Sequence, residues 1–161
     1  MPAYSTIPSS ITTLYIFAVV NLVALFHVSC VDADIIVISP LNKTKVYADM
    51  PSNFGFALPP SGLSGLLVVA DPIDSCSPIA PPPDNMSTYF ALIRRSQCDF
   101  DIKVLNAQKS GFKAAIVYNV GADNIFPMNP NKHGKDIEIP SVFVGETTGN
   151  DLLKFYTHDK G

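Results

Sequence analysis

Apolar residues in this chain fall into short runs separated by polar, proline-bearing segments, and the period of the runs changes along the sequence. Asp34-Ile35-Ile36-Val37-Ile38-Ser39 is a β-branched run that Pro40 ends, which predicts a strand. Residues 45–48 offer a second. Residues 65–70 are continuously apolar, the pattern of a strand buried on both faces. Residues 89–93, 114–118 and 139–145 predict three more strands. Phe54 and Phe56, in the loop 51–60 between these runs, are expected to pack over the core.

A different period takes over after Arg94-Arg95. Phe100, Val104 and Ala107 recur at helical spacing, with Leu105 and Gln108 beside them, so residues from about 99 to 110 predict one amphipathic helix. Cys98 or Asp99 marks its entrance. Asp99 and Asp101 put negative charge in the first turn, where the helix dipole favours it. Lys109 falls in the last turn and Gly111 suits a left-handed cap. Ala114 and Ala115 leave room for this helix to pack closely. Residues 121–137 are expected to be a polar loop. Thr147 or Thr148 is expected to cap a last helix whose apolar side carries Leu152, Leu153 and Tyr156. Strands alternating with helices give a mixed α/β fold.

The charge distribution divides the chain. The first 31 residues carry no Asp, Glu, Lys or Arg, whereas all 14 acidic residues and all 11 Lys and Arg follow. Within the uncharged part runs an apolar segment from Leu14 to Val28. As a helix it would rise about 22 Å, short of a hydrocarbon core of about 30 Å. Small residues follow at Ser29, Cys30 and Ala33. Residues 1–33 therefore predict a secretory signal peptide cleaved after Cys30 or Ala33, with a mature domain at 34–161. Lys and Arg are missing ahead of the apolar run, and the wider window from Ile11 to Val31 nearly spans a bilayer, so an uncleaved anchor is the other reading.

The remaining composition fits one globular domain. A length of 161 residues supports a single core, 47% hydrophobic content argues against disorder, and 14 prolines imply many loops. A net charge of −3 with scattered Lys and Arg offers no basic face, which argues against nucleic acid. The mature part keeps two cysteines, Cys76 and Cys98, which an oxidising lumen would pair, while two free buried thiols are the alternative. Two N-glycosylation sequons, Asn42-Lys43-Thr44 and Asn85-Met86-Ser87, stand in polar surroundings and agree with a luminal location.

No catalytic motif emerges. Gly62-Leu63-Ser64-Gly65 lacks the spacing of a nucleophile elbow, and its serine reads as a turn residue. There is no Cys-x-x-Cys, no His-Glu-x-x-His and no zinc spacing, so neither metal nor cofactor is expected. His133 and His158 lie in polar company and read as surface residues. Asp99 with Asp101 resembles a carboxylate pair but is explained by the helix start. Gly121-Ala122-Asp123 follows a strand without the glycine pattern of a dinucleotide site. Arg94-Arg95 reads as a solvated turn, or as a contact for an acidic partner. Pro81-Pro82-Pro83 reads as a rigid loop.

The helix entrance at Cys98, the helix and strand up to Val120, and Cys76 followed by Ser77-Pro78-Ile79-Ala80-Pro81-Pro82-Pro83 together resemble one family. It is the luminal protease-associated (PA) domain of the goliath-related PA-TM-RING ubiquitin ligases, nearest the RING finger protein thirteen branch. The resemblance covers residues 33 to 161. It implies a swivelling β/β/α-type fold with a mixed sheet and flanking helices. It implies a non-catalytic domain that binds protein or peptide cargo in an endosomal or lysosomal lumen, or outside the cell. The loops 76–87 and 119–136 are the candidate contact regions. Relatives continue into a further strand, a transmembrane helix and a RING, so the last strand of the domain is expected to be missing here, leaving an exposed edge. The competing reading takes the chain as a fragment of the ligase, with catalysis encoded beyond Gly161.

Overall fold

The computed structural model describes residues 34–38 and 44–160. They lie within one unit that runs from Asp32 to Gly161. The expected leader at 1–33, with its cleavage site, and the sequon residue Asn42 lie outside the described residues.

Strands β1 (Asp34–Ile38) and β2 (Thr44–Ala48) form an antiparallel hairpin in which Ile36 faces Val46. The main sheet contains β3 (Met50–Pro51), β4 (Leu66–Val69), β5 (Tyr89–Arg94), β6 (Ala114–Tyr118) and β7 (Ser141–Val144). Its spatial order is β3-β7-β6-β5-β4; β3 runs antiparallel to β7 and the other three pairs are parallel. Helix α1 (Phe100–Lys109) connects β5 to β6, and α2 (Glu146–Phe155) follows β7. The fold is mixed α/β.

Strand alternation sorts the core into two layers. Ala91, Ile93, Ala115, Val117 and Phe143 point to one side, where Val104, Leu105 and Ala107 of α1 cover them. Leu92, Ile116, Tyr118, Val142 and Val144 point to the other, beneath Leu152 of α2 and Tyr47 of the hairpin. Every residue of β6 and β7 is therefore buried, as central strands between two covering layers must be. Helix α2 sits so close to β6 that a Cβ added at Gly149 would collide with the Cβ of Tyr118.

Several expectations need correction. β4 is an edge strand, so Leu66 is 43% exposed and Val68 and Val69 are only half-buried. Thr157 meets its outer edge through a single parallel bridge to Leu67. Strand β3 escaped the sequence pattern because two residues carry no period; its Pro51 sits where an edge tolerates a missing donor. Of the two phenylalanines in the 51–60 loop, Phe54 is buried but Phe56 is 65% exposed. The loop 121–137 is not uniformly polar. Met128 and Ile137 are buried, and the Phe126 ring lies 4.5 Å from that of Phe143. Helix α2 begins at Glu146, before either threonine, with Gly145 as its flanking residue. Its cap comes from a distant carboxylate: Asp123 accepts from the backbone N–H and the hydroxyl of Thr147, both at 2.7 Å.

Asp49, between β2 and β3, has a buried Oδ1 without a hydrogen-bond partner among the described residues. Burial, and then the charge of Asp34, push its carboxyl up to about 7. A raised carboxyl pKa means that the fold prefers the protonated form. This contribution is complete below about pH 4, where the unfolded chain is also protonated, and is lost as pH rises through about 7. Asp49→Asn mimics the protonated acid. The melting temperature of the wild type should fall relative to the variant between about pH 4 and about pH 7 and run parallel to it above that. Profiles parallel throughout would refute this reading of Asp49.

Candidate functional site

The candidate site is an open groove of about 590 Å³ between the loop carrying Phe54 and Phe56 and the loop carrying Pro130, Lys132 and Lys135. Phe54 and Ile137 are its buried apolar lining, and Phe56 adds an exposed ring at one wall. Lys132 and Lys135 are exposed, and neither has an ion-pair partner among the described residues. The groove thus offers apolar surface beside two available cations.

Both walls are fixed from behind. The first loop is held when Ser52 Oγ donates to Phe54 O at 2.7 Å, Asn53 N donates to Met128 O at 2.9 Å and Asn53 Nδ2 donates to Asn129 Oδ1 at 2.7 Å. At Gly55 φ is +77°, and a Cβ there would run into Ile139 O, so only glycine fits the turn. The second loop hangs on one side of α1. Asp101 Oδ2 accepts from Asn131 N at 2.9 Å and from His133 N at 2.7 Å. Asp99 Oδ2 accepts from Asn131 Nδ2 at 2.9 Å. Gln108 Nε2 donates to Asp136 O at 2.9 Å, while its Oε1 accepts from Glu138 N and Ile139 N at 2.6 and 3.1 Å.

The two acids of the helix start therefore have a second use. Asp99 flanks the helix but its side chain does not cap it. Asp101 is fully buried, and its Oδ1 accepts from Ile102 N at 3.0 Å. Burial pushes its carboxyl up, but the N–H bonds from His133, Asn131 and Ile102 outweigh that and hold it below its ordinary value. Gln108 was read as a neighbour of the apolar stripe; it is a latch. A polar residue seven positions after Asp101, two turns along one helix side, is the signal that marks it.

The other candidate residues are distributed as follows. Cys76 and Cys98 form a disulfide with S–S 2.07 Å. Asn85 is exposed on a turn in which Asp84 Oδ1 accepts from Met86 N and Ser87 N at 2.8 and 3.1 Å. His133 Nδ1 lies 3.2 Å from Asp136 Oδ2, and the ring of His158 is 5.7 Å from that of Tyr89. Arg95 is more than a solvated turn. It donates to Asn119 Oδ1 at 2.8 Å and stacks over Phe126 and Phe100, 5.2 and 5.8 Å from their centroids. Of the two loops proposed for contact, 119–136 supplies one groove wall and 76–87 supplies none.

Lys103 was overlooked altogether. Its side chain is fully buried beside the disulfide, donating to Asp74 O at 2.7 Å, Ser96 Oγ at 3.1 Å and Cys76 Sγ at 3.3 Å. Its position three residues after Phe100 and four before Ala107, on the apolar stripe, was the available signal. Among the described residues no cluster of three His, Cys, Asp or Glu side chains could hold a metal ion, and no helix is long and apolar enough to cross a membrane.

The profile of the PA domain family matches residues 63–152. This chain belongs to the PA-domain family. The match spans the sheet from before β4 through β7 and into α2, the scaffold that carries the groove loop 130–137. Curated relatives place this PA domain with those of the PA-TM-RING family. It is 47% identical over 157 residues to the E3 ubiquitin-protein ligase RNF13 of Gallus gallus, an alignment covering 94% of this chain and 41% of that protein. It is 46% identical over 117 residues to the E3 ubiquitin-protein ligase ZNRF4 of Homo sapiens, covering 69% of this chain and 27% of the relative. It is 40% identical over 115 residues to the receptor homology region, transmembrane domain- and RING domain-containing protein 1 of Arabidopsis thaliana, covering 68% and 36%. The chain thus spans about two fifths of the length of the first relative. A zinc aminopeptidase from Bacillus subtilis shares the fold at TM-score 0.52 and 24% identity, over 68% of this chain and 26% of the enzyme.

Proposed function

We propose that this PA domain is a non-catalytic module that binds protein or peptide cargo in the groove between the 53–56 and 130–137 loops. The observation that carries the reading is the pairing of an apolar lining with two lysines that have no ion-pair partner among the described residues, on a wall pinned to α1. Such a surface fits a peptide segment with a leucine or phenylalanine next to acidic residues. The apolar side chain supplies burial, and the charges supply orientation and encounter rate. Titrating a short peptide of this composition into the isotopically labelled chain should perturb the amides of residues 53–56 and 130–137. Reversing both lysines (Lys132→Glu with Lys135→Glu) should weaken binding about tenfold. Perturbations confined to residues 76–87, or none at all, would sink the groove as the site.

We place the domain on the luminal side of the secretory pathway, in an endosomal or lysosomal compartment or outside the cell, with residues 1–33 as a leader and 34–161 as the PA domain. The uncharged apolar segment and the exposed Asn85 turn support this. Made in animal cells, the protein should lose mass in two steps on glycosidase treatment, with Asn42→Gln and Asn85→Gln each removing one. An unglycosylated product would point to the cytosol. The names of the relatives support a second reading, in which the module belongs to a RING-type ubiquitin ligase whose catalytic part is encoded further along the gene. Transcript sequence downstream of Gly161 decides it: a hydrophobic span followed by Cys and His zinc ligands supports the ligase, and a stop codon removes it.

A further inference from the structure

A buried ammonium is normally compensated by a carboxylate. Lys103 touches none directly among the described residues, and the Asp74 carboxylate acts on it only from a distance. Its residue is 0% exposed, and it forms no ion pair among the described residues. Asp74 is adjacent, but Lys103 takes its backbone carbonyl. The Asp74 carboxylate is engaged elsewhere, with Oδ1 accepting from Cys76 N at 3.1 Å and Oδ2 from Ser96 Oγ at 3.3 Å. The third contact of the ammonium is the Cys76 sulfur at 3.3 Å. A disulfide sulfur is a weak acceptor, whereas a thiolate there would bring the missing negative charge. Among the described residues no cation contacts Cys98, which lies at the entrance of α1 and, like Cys76, is partly exposed.

The geometry points to the Cys76–Cys98 disulfide as a thiol-exchange site, in which a dithiol reductant attacks Cys98 Sγ and Cys76 departs as a thiolate paired with the Lys103 ammonium. In the first step a reductant thiolate forms a bond to Cys98 Sγ while the Cys76–Cys98 bond breaks, its electron pair leaving on Cys76. The second reductant thiol gives its proton to water and, as a thiolate, attacks the reductant's own sulfur in the mixed disulfide. The electron pair of that bond passes to Cys98. The dithiol ends as a disulfide, and two electrons have entered the protein. The direction follows from leaving-group chemistry, since the thiol with the lower pKa leaves faster and the Lys103 ammonium touches Cys76 Sγ at 3.3 Å; the start of α1 would also favour a thiolate on Cys98, but Asp99 and Asp101 already place negative charge there. Burial already pulls the Lys103 ammonium down to about 8, against the opposing charge of Asp74, so the cation is poorly compensated while the disulfide is closed.

The experiment uses the disulfide-bonded chain and a monothiol, which stops at the first step. Brief exposure to glutathione, acid quenching and peptide mapping should find glutathione on Cys98 and a free thiol at Cys76. Lys103→Met should abolish this preference and slow opening of the disulfide about tenfold, whereas Lys103→Arg should keep the preference. Glutathione on Cys76, or shared equally, overturns the proposal in the wild type alone, so the test survives even if Lys103→Met does not fold. A Lys103→Met protein with wild-type preference would reduce the lysine to a tether for the turn at Asp74.

Discussion

Replacing Cys76 with serine is expected to destabilise the domain by about 2–5 kcal/mol, centred near 3 kcal/mol. The bridge spans a sequence separation of 22 residues. Closing a loop of that size removes about 3 kcal/mol of chain entropy from the unfolded state in the simplest account. The folded loop will not collapse with the bridge, because several polar contacts hold it. Ser75 Oγ donates to Lys103 O at 3.0 Å, Asn106 Nδ2 donates to Ser75 O at 2.9 Å and Ser110 Oγ donates to Ile79 O at 2.9 Å. Ile79 itself is buried in the core. The loss should therefore come chiefly through the unfolded state, and urea unfolding should show a lower midpoint with little change in the folded spectrum. Cys98→Ser should cost the same, and the double substitution little more than either, since each single change already removes the whole bond. Additive losses would mean that the cysteines contribute separately and that the bridge is not formed.

Legibility in the sequence followed the strength of the local period. β6 and α1 were readable because Ala114 to Tyr118 is a continuous apolar run, and because Phe100, Val104 and Ala107 repeat at helical spacing between acids and a glycine stop. β4 looked the same as a central strand, yet its edge position depends on which strand pairs with which, and that is not encoded within its own residues. The cap on α2 was invisible for a related reason: Thr147 meets Asp123 across 24 residues of sequence. The groove was half legible. Its 119–136 loop stood out by length and polarity, but the 53–56 wall was assigned to core packing. Phe54 does pack inward, and Phe56, two residues on, faces out because the backbone turns at Gly55. Asp101 was singled out for only one of its two duties. A carboxylate in a first helical turn has a sufficient local explanation, and nothing local reveals that a loop thirty residues later needs an anchor.

That anchor carries the second large effect. Asp101→Ala is expected to destabilise the domain by roughly 3 kcal/mol, because three backbone N–H groups lose their acceptor, each worth about 1–3 kcal/mol if it stays buried and unpaired. Water entering the vacated space will recover part of this, which keeps the sum below three full penalties. The residue is fully buried and its two oxygens divide the work, Oδ1 to Ile102 and Oδ2 to Asn131 and His133. Burial alone would raise its pKa, but these N–H bonds lower it overall. A lowered folded-state value means that its stabilisation is present above the unfolded carboxyl pKa of about 3.9 and is lost as pH falls through the depressed value. Acid unfolding of the wild type should thus include a contribution that Asp101→Asn lacks. The groove supplies the more specific readout. Asn131 and His133 flank Lys132, so freeing their backbone lets that wall move while the core and α1 remain. At a temperature where Asp101→Asn is still folded, it should bind the acidic, apolar peptide more weakly, with the affinity loss accompanied by faster amide exchange at residues 131–136. Unchanged peptide affinity in a variant whose 131–136 amides do exchange faster would show that the rigidity of this wall is irrelevant to binding, and would leave the two lysines and the apolar lining to account for it.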